Sequence, residues 1–149
     1  MGNRQILIVE DNPADVRLIR EALKMMDPPV NIHVAHDGEQ ALQFLRRQGP
    51  HTRAPAPALV FLDLNLPRAN ARELLREMKG DEQLRPIAVV VLTTSDVDTD
   101  VRDAYRLHAN CYVRKPADLD SFLSAVRTTA HFWLNVACVA PDAQPETLK

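Results

Sequence analysis

Four short apolar runs punctuate this chain, and each gives way to polar chemistry at its carboxyl end. Ile6-Leu7-Ile8-Val9 leads into Glu10-Asp11, and Leu59-Val60-Phe61-Leu62 leads into Asp63. Val89-Val90-Val91-Leu92 leads into Thr93-Thr94, and Cys111-Tyr112-Val113-Arg114 into Lys115-Pro116. Unbroken β-branched and leucine runs of this length predict parallel strands buried on both faces. Ile32 and Val34 instead alternate with polar residues, which predicts a less buried strand at a sheet edge. Between these runs the period changes to that of helices. Asn12-Pro13 supplies an N-cap and a first-turn proline for a helix carrying Val16, Ile19, Leu23 and Met26, which Asp27-Pro28-Pro29 stops. Asp37-Gly38 marks a turn, and Ala41, Leu42 and Leu45 carry a short helix to Gly49. Helices are also predicted over 71–79, ending near Gly80, and over 98–107. The last starts at an Asp118 N-cap, with Leu119, Phe122, Val126 and Trp133 sustaining its period well past Ala130 until Pro141. The stretch 49–57 holds three of the chain's 11 prolines and is expected to be an exposed loop.

Five strands alternating with five helices predict an α/β fold, a doubly wound five-stranded parallel sheet. Right-handed crossovers favour the flavodoxin-like order 2-1-3-4-5, which sets the first and third strands side by side. Open parallel sheets bind ligands at the carboxyl ends of their strands. Glu10, Asp11, Asp63, Thr93 and Lys115 are therefore expected on one edge. Three carboxylates crowded together repel, and oxygen-only ligands suit a hard divalent cation such as Mg²⁺. A hydroxyl and an ammonium beside them suit phosphoryl oxygens.

Glu10-Asp11, the stretch Leu62-Asp63-Leu64-Asn65-Leu66-Pro67, Thr93 and Lys115-Pro116 resemble the receiver domain of two-component response regulators. They stand in the family's order, with Asp63 to Thr93 spanning 30 residues and Thr93 to Lys115 spanning 22. The resemblance runs over about 5–139, so a receiver domain is expected over 1–140 and a disordered tail over 141–149. It implies that Asp63 accepts the phosphoryl group, assisted by Lys115 and Thr93. It implies Mg²⁺ held directly by Asp11, Asp63 and the backbone carbonyl of Asn65, with Glu10 acting mostly through water. It further implies a cis peptide before Pro116 and a switch pair, Thr93 and Tyr112. Leu107-His108-Ala109-Asn110-Cys111-Tyr112 and Phe132-Trp133-Leu134 resemble the single-domain regulators paired with cyanobacterial and bacterial phytochromes. A phytochrome-type histidine kinase is the partner so implied. The first helix is expected to dock it through Asp15, Leu18 and Ala22. One departure stands out: Asn70-Ala71 occupies a place where the family commonly has Asp-Gly.

The run Phe132-Trp133-Leu134 with Val136 and Val139 is apolar on more than one face of the last helix. That predicts a homodimer built on the last two strands and the last two helices.

Composition narrows the alternatives. At 149 residues, 46% apolar and 26% charged, the chain fits one ordinary globular domain. A formal charge of −2, with no basic block, excludes a general attraction to nucleic acid. No apolar run is long enough to cross a bilayer, and nothing reads as a signal peptide. Cys111 and Cys138 do not make a disulfide framework, so a reduced cytoplasmic setting is expected. About nine residues follow Ala140, so output is expected through protein contacts or phosphorelay. The rival is a phosphatase of the haloacid-dehalogenase type, which also uses an aspartyl nucleophile. There the acidic pair follows the lysine and a second aspartate lies two past the nucleophile; here the pair comes first and position 65 is Asn. A phosphoacceptor signalling protein, rather than an enzyme, is the expectation.

Overall fold

Residues 2–67 and 70–141 are described by the computed structural model. Its strands are β1 Gln5–Val9, β2 Asn31–Ala35, β3 Leu59–Leu62, β4 Ala88–Thr93 and β5 Cys111–Arg114. Its helices are α1 Pro13–Leu23, α2 Gly38–Leu45, α3 Asn70–Gly80, α4 Asp98–Arg106 and α5 Leu119–His131. All strand pairs are parallel, in the order β2-β1-β3-β4-β5. The doubly wound sheet expected from the apolar runs is thus present, with β2 on an edge.

The period of two along each strand divides the core into two layers. Leu7, Val9, Val60, Leu62, Val89 and Val91 face α2, α3 and α4, meeting Phe44, Leu74, Leu75, Met78 and Ala104. Ile6, Ile8, Leu59, Phe61, Val90 and Leu92 face α1 and α5, meeting Ile19, Leu23, Phe122 and Val126. Both faces of β1, β3 and β4 are covered, which is why these runs carry no alternation. At the β2 edge Ile32, His33 and Val34 are only half buried.

Three local expectations need correction. Ala22 does not face outward on α1: it is buried, and Leu18 packs half-buried on the same apolar cluster. Helix α1 lies against both the sheet and α5, so its apolar stripe is wider than a one-sided contact needs. Its exposed face is instead Arg17, Arg20, Glu21 and Lys24. The last helix does not run to Pro141. Regular α-helix ends at His131, and a π-helical turn, Phe132–Val136, closes with the Ala137 N–H donating to the Phe132 carbonyl. Arg4 meets this turn, donating to the Asn135 side chain at 2.5 Å and the Leu134 carbonyl at 3.4 Å. Trp133 and Leu134 meanwhile stay packed on the core. The 49–57 stretch is neither wholly irregular nor wholly exposed: Gly49–His51 forms a 3₁₀ turn, and Pro57 is buried.

The Asn70-Ala71 departure has a simple outcome. Both residues lie in α3 and neither takes a left-handed conformation. The Asn70 amide donates to the Pro67 carbonyl at 2.7 Å, and Ala71 is fully buried. Glycine is needed opposite instead: a Cβ on Gly38 would lie 2.8 Å from the Asn70 carbonyl oxygen. Of the tail expected over 141–149, residues 142–149 lie outside the described residues.

Candidate functional site

The sheet ladder continues one residue past three strands, and those residues form the site. The Glu10 N–H donates to the Ala35 carbonyl at 3.0 Å, and the Asp63 N–H to the Val9 carbonyl at 3.1 Å. The Lys115 N–H donates to the Thr93 carbonyl at 2.7 Å. Backbone pairing thus brings Glu10, Asp63, Thr93 and Lys115 to one edge, as the strand order predicted. Asp11 follows Glu10 into solvent, and Asn12 then caps α1, accepting from the N–H groups of Ala14 and Asp15 at 2.9 and 3.3 Å.

Carboxylate oxygens of Glu10, Asp11 and Asp63 lie within 4.8 Å of one another. Among the described residues this is the one such group of potential metal ligands. Glu10, Asp63 and Thr93 are buried, with Glu10 only 2% exposed. The Lys115 ammonium, its side chain 4% exposed, donates to Glu10 at 2.6 Å, Asp15 at 2.8 Å and Asp63 at 3.2 Å. Asn65 ties the hydroxyls to the nucleophile candidate. Its N–H donates to Asp63 at 3.0 Å, and its amide to the Thr93 and Thr94 hydroxyls at 3.2 Å each.

The charges are strongly coupled. Burial pushes the Glu10 carboxyl up to about 7, with Lys115 pulling the other way. Burial also opposes ionisation of Asp63, yet the Asn65 N–H, Glu10, Lys115 and Thr93 together outweigh it and hold its carboxyl below the usual range. Burial disfavours the Lys115 charge, but its bonds to Asp15 and Glu10 win and its pKa is raised. Four carboxylates (Glu10, Asp11, Asp15 and Asp63) thus share the edge with one ammonium. This excess of hard oxygen donors over positive charge fits a divalent cation.

The Lys115–Pro116 bond is trans, correcting the expected cis peptide. Trans is the ordinary state of an X–Pro bond, and the ladder bond to Thr93 already aims Lys115 into the site. Tyr112 stands apart from the carboxylates. Its hydroxyl donates to the Ser95 carbonyl at 2.9 Å, two residues beyond Thr93, and its N–H donates to the Tyr105 hydroxyl at 3.2 Å. Phe132, Trp133 and Val136 lie in the turn after α5. Sequence reasoning missed the role of Asp15, which it placed on a solvent-facing surface. A first-turn helical acid ordinarily answers the helix dipole, and nothing in the sequence shows that it also reaches a lysine 100 residues away.

Comparison with known proteins agrees with this geometry. The model of the response regulator receiver domain matches residues 6–127. The response regulator Rcp1 of Synechocystis sp. is 43% identical over 129 residues, covering 87% of this chain and 88% of that protein. The crystal structure of the phosphorylated cyanobacterial phytochrome response regulator RcpA superposes with a TM-score of 0.89 at 42% identity, covering 93% of this chain and 99% of that one. The Mn²⁺-bound form of Rcp1 gives 0.87 at 41% identity, over 92% and 99%. A match running from the first strand into the last helix, at this level of identity, carries one conclusion: the chain belongs to the response regulator receiver family, the phosphoacceptor proteins of two-component signalling.

Proposed function

We infer that Asp63 is the residue that takes the phosphoryl group, and that Mg²⁺ is the cation it works with. The observation that carries this reading is the placement of Asp63, which is buried, held ionised, and in reach of both Lys115 and the Asn65–Thr93 pair. A carboxylate needs no deprotonation to attack. One Asp63 oxygen forms the new bond to phosphorus while the phosphorus–nitrogen bond of a phosphohistidine breaks and the imidazole keeps the electron pair. Lys115 and the Thr93 hydroxyl supply donors to the phosphoryl oxygens. Asp11, Asp63 and the Asn65 backbone carbonyl would hold the cation, with Glu10 acting through water. When bound, the cation neutralises charge on the phosphoryl oxygens.

Thr93 and Tyr112 form the switch. Movement of the Thr93 hydroxyl to the phosphoryl group vacates space beside β4, and Tyr112, whose hydroxyl now donates to the Ser95 carbonyl, rotates inward into that space. The donor is a histidine kinase of the phytochrome type. That choice rests on likeness to Rcp1 and to the phytochrome regulator RcpA. The protein works as a homodimer through Phe132, Trp133 and Val136, of which Phe132 is 49% and Val136 63% exposed. No helix among the described residues is long and apolar enough to cross a membrane.

Incubation with acetyl phosphate and Mg²⁺ should add one phosphoryl mass, and Asp63→Asn should abolish it. Full labelling of Asp63→Asn would sink the assignment.

A further inference from the structure

Lys115 has three N–H bonds to give, and all three go to carboxylates: Glu10 at 2.6 Å, Asp15 at 2.8 Å and Asp63 at 3.2 Å. The longest of these reaches Asp63, so the ammonium is drawn toward the other two acids. A phosphoryl group on Asp63 adds oxygens that need donors; the N–H now on Asp63 can move to one of them, and Lys115 can serve a second only by releasing Glu10 or Asp15. Its two other partners differ in what release would cost. Glu10 is buried, with its side chain 2% exposed, and without Lys115 it would keep a carboxylate far from water. The Asp15 side chain is 25% exposed, so water can replace the lysine there. Asp15 sits in the first turn of α1, where the helix end also stabilises a freed negative charge.

We propose that Asp15 is a positioning residue that holds the Lys115 ammonium while Asp63 is unmodified and releases it when a phosphoryl group arrives. This rests on Asp63 as the phosphoacceptor. Asp15 competes with the phosphoryl oxygens for one N–H, and so sets how strongly the modified state is favoured. It also links the site to α1, since the carboxylate exchanged belongs to that helix.

The test measures binding of beryllium trifluoride, a phosphoryl analogue, by calorimetry in the presence of Mg²⁺. Asp15→Asn keeps the side-chain shape and weakens the competition, and should tighten the analogue about fivefold, the scale of a partly exposed charged pair. Asp15→Glu keeps the competing charge and should bind like the wild type. Removing any negative charge near the site could tighten an anion, so the decisive comparison uses the Lys115→Ala background. There Asp15→Asn should change nothing, because the shared partner is gone. An equal gain with and without Lys115, or unchanged or weaker binding by Asp15→Asn in the presence of Lys115, overturns the proposal. Failure of the wild type to bind the analogue at all overturns the phosphoacceptor reading as well.

Discussion

At the scale of single residues, the acids at this edge divide by burial. Asp11, the proposed ligand of the cation, is exposed and makes no direct bond to Lys115, whose side chain is buried among three acids. The two should respond differently to added metal. Asp11→Ala should weaken Mg²⁺ binding by more than about tenfold, and raising Mg²⁺ should restore most of its phosphorylation by acetyl phosphate. Lys115→Ala removes a donor aimed at the transferred group, and should slow the same reaction by about a hundredfold whatever the Mg²⁺. Equal rescue of both, followed by mass spectrometry against Mg²⁺ concentration, would show that their roles have been confused. Asn110 gains an explanation at this scale. Its side chain accepts from the Val89 N–H at 2.8 Å and from Lys79 at 3.1 Å, while its own N–H donates to the Val89 carbonyl. It ties the entry of β5 to β4.

At the scale of elements, what could be read from the chain tracks how local the cause is. The buried strands, the Asn12 and Asp118 caps and the edge character of β2 depend on neighbouring residues, and all are present as expected. The convergence of Glu10, Asp63, Thr93 and Lys115 was also legible, because strand order alone puts strand ends together. Tertiary partners were not. Ala22 looks permissive in sequence and is buried only because α5 lies beside α1. The turn of Phe132–Val136 continues the helical period, but Arg4, at the other end of the chain, meets it and the sheet holds Trp133 and Leu134. The corrected face of α1 changes the docking expectation, since the exposed face of the helix that starts at the site is the charged set Arg17, Arg20, Glu21 and Lys24. Arg17→Glu should slow phosphotransfer from the kinase by about three- to tenfold, as a rim charge does, and leave labelling by acetyl phosphate intact. A parallel loss in both assays would place Arg17 in support of the site; no change in either would move docking elsewhere.

At the scale of the whole molecule, the proposed homodimer rests on the apolar turn that follows α5. Phe132 and Trp133 stack edge to face with centroids 5.4 Å apart, yet Phe132 and Val136 remain largely in solvent. Burying them against a second copy, as proposed, would remove that exposure by a self-complementary contact. Phe132→Asp should give monomers in sedimentation velocity while circular dichroism stays unchanged, with a loss of about 2–3 kcal/mol for the apolar contact. A wild type that sediments as a monomer throughout the micromolar range ends the dimer reading.

The strand order also bears on how the chain comes into being. Because β1 lies between β2 and β3, a polypeptide growing from its amino end must hold the apolar run Ile6-Leu7-Ile8-Val9 half-unpaired until Leu59–Leu62 has been made. The chemistry is later still. Glu10 is translated 105 residues before the lysine that neutralises it, and Asp15 precedes it by 100. A nascent chain therefore carries the acids of the site without their counter-charge. Docking of β5 does two jobs at once, closing the sheet and bringing in that charge, so the site reaches its working electrostatics only when the fold is finished.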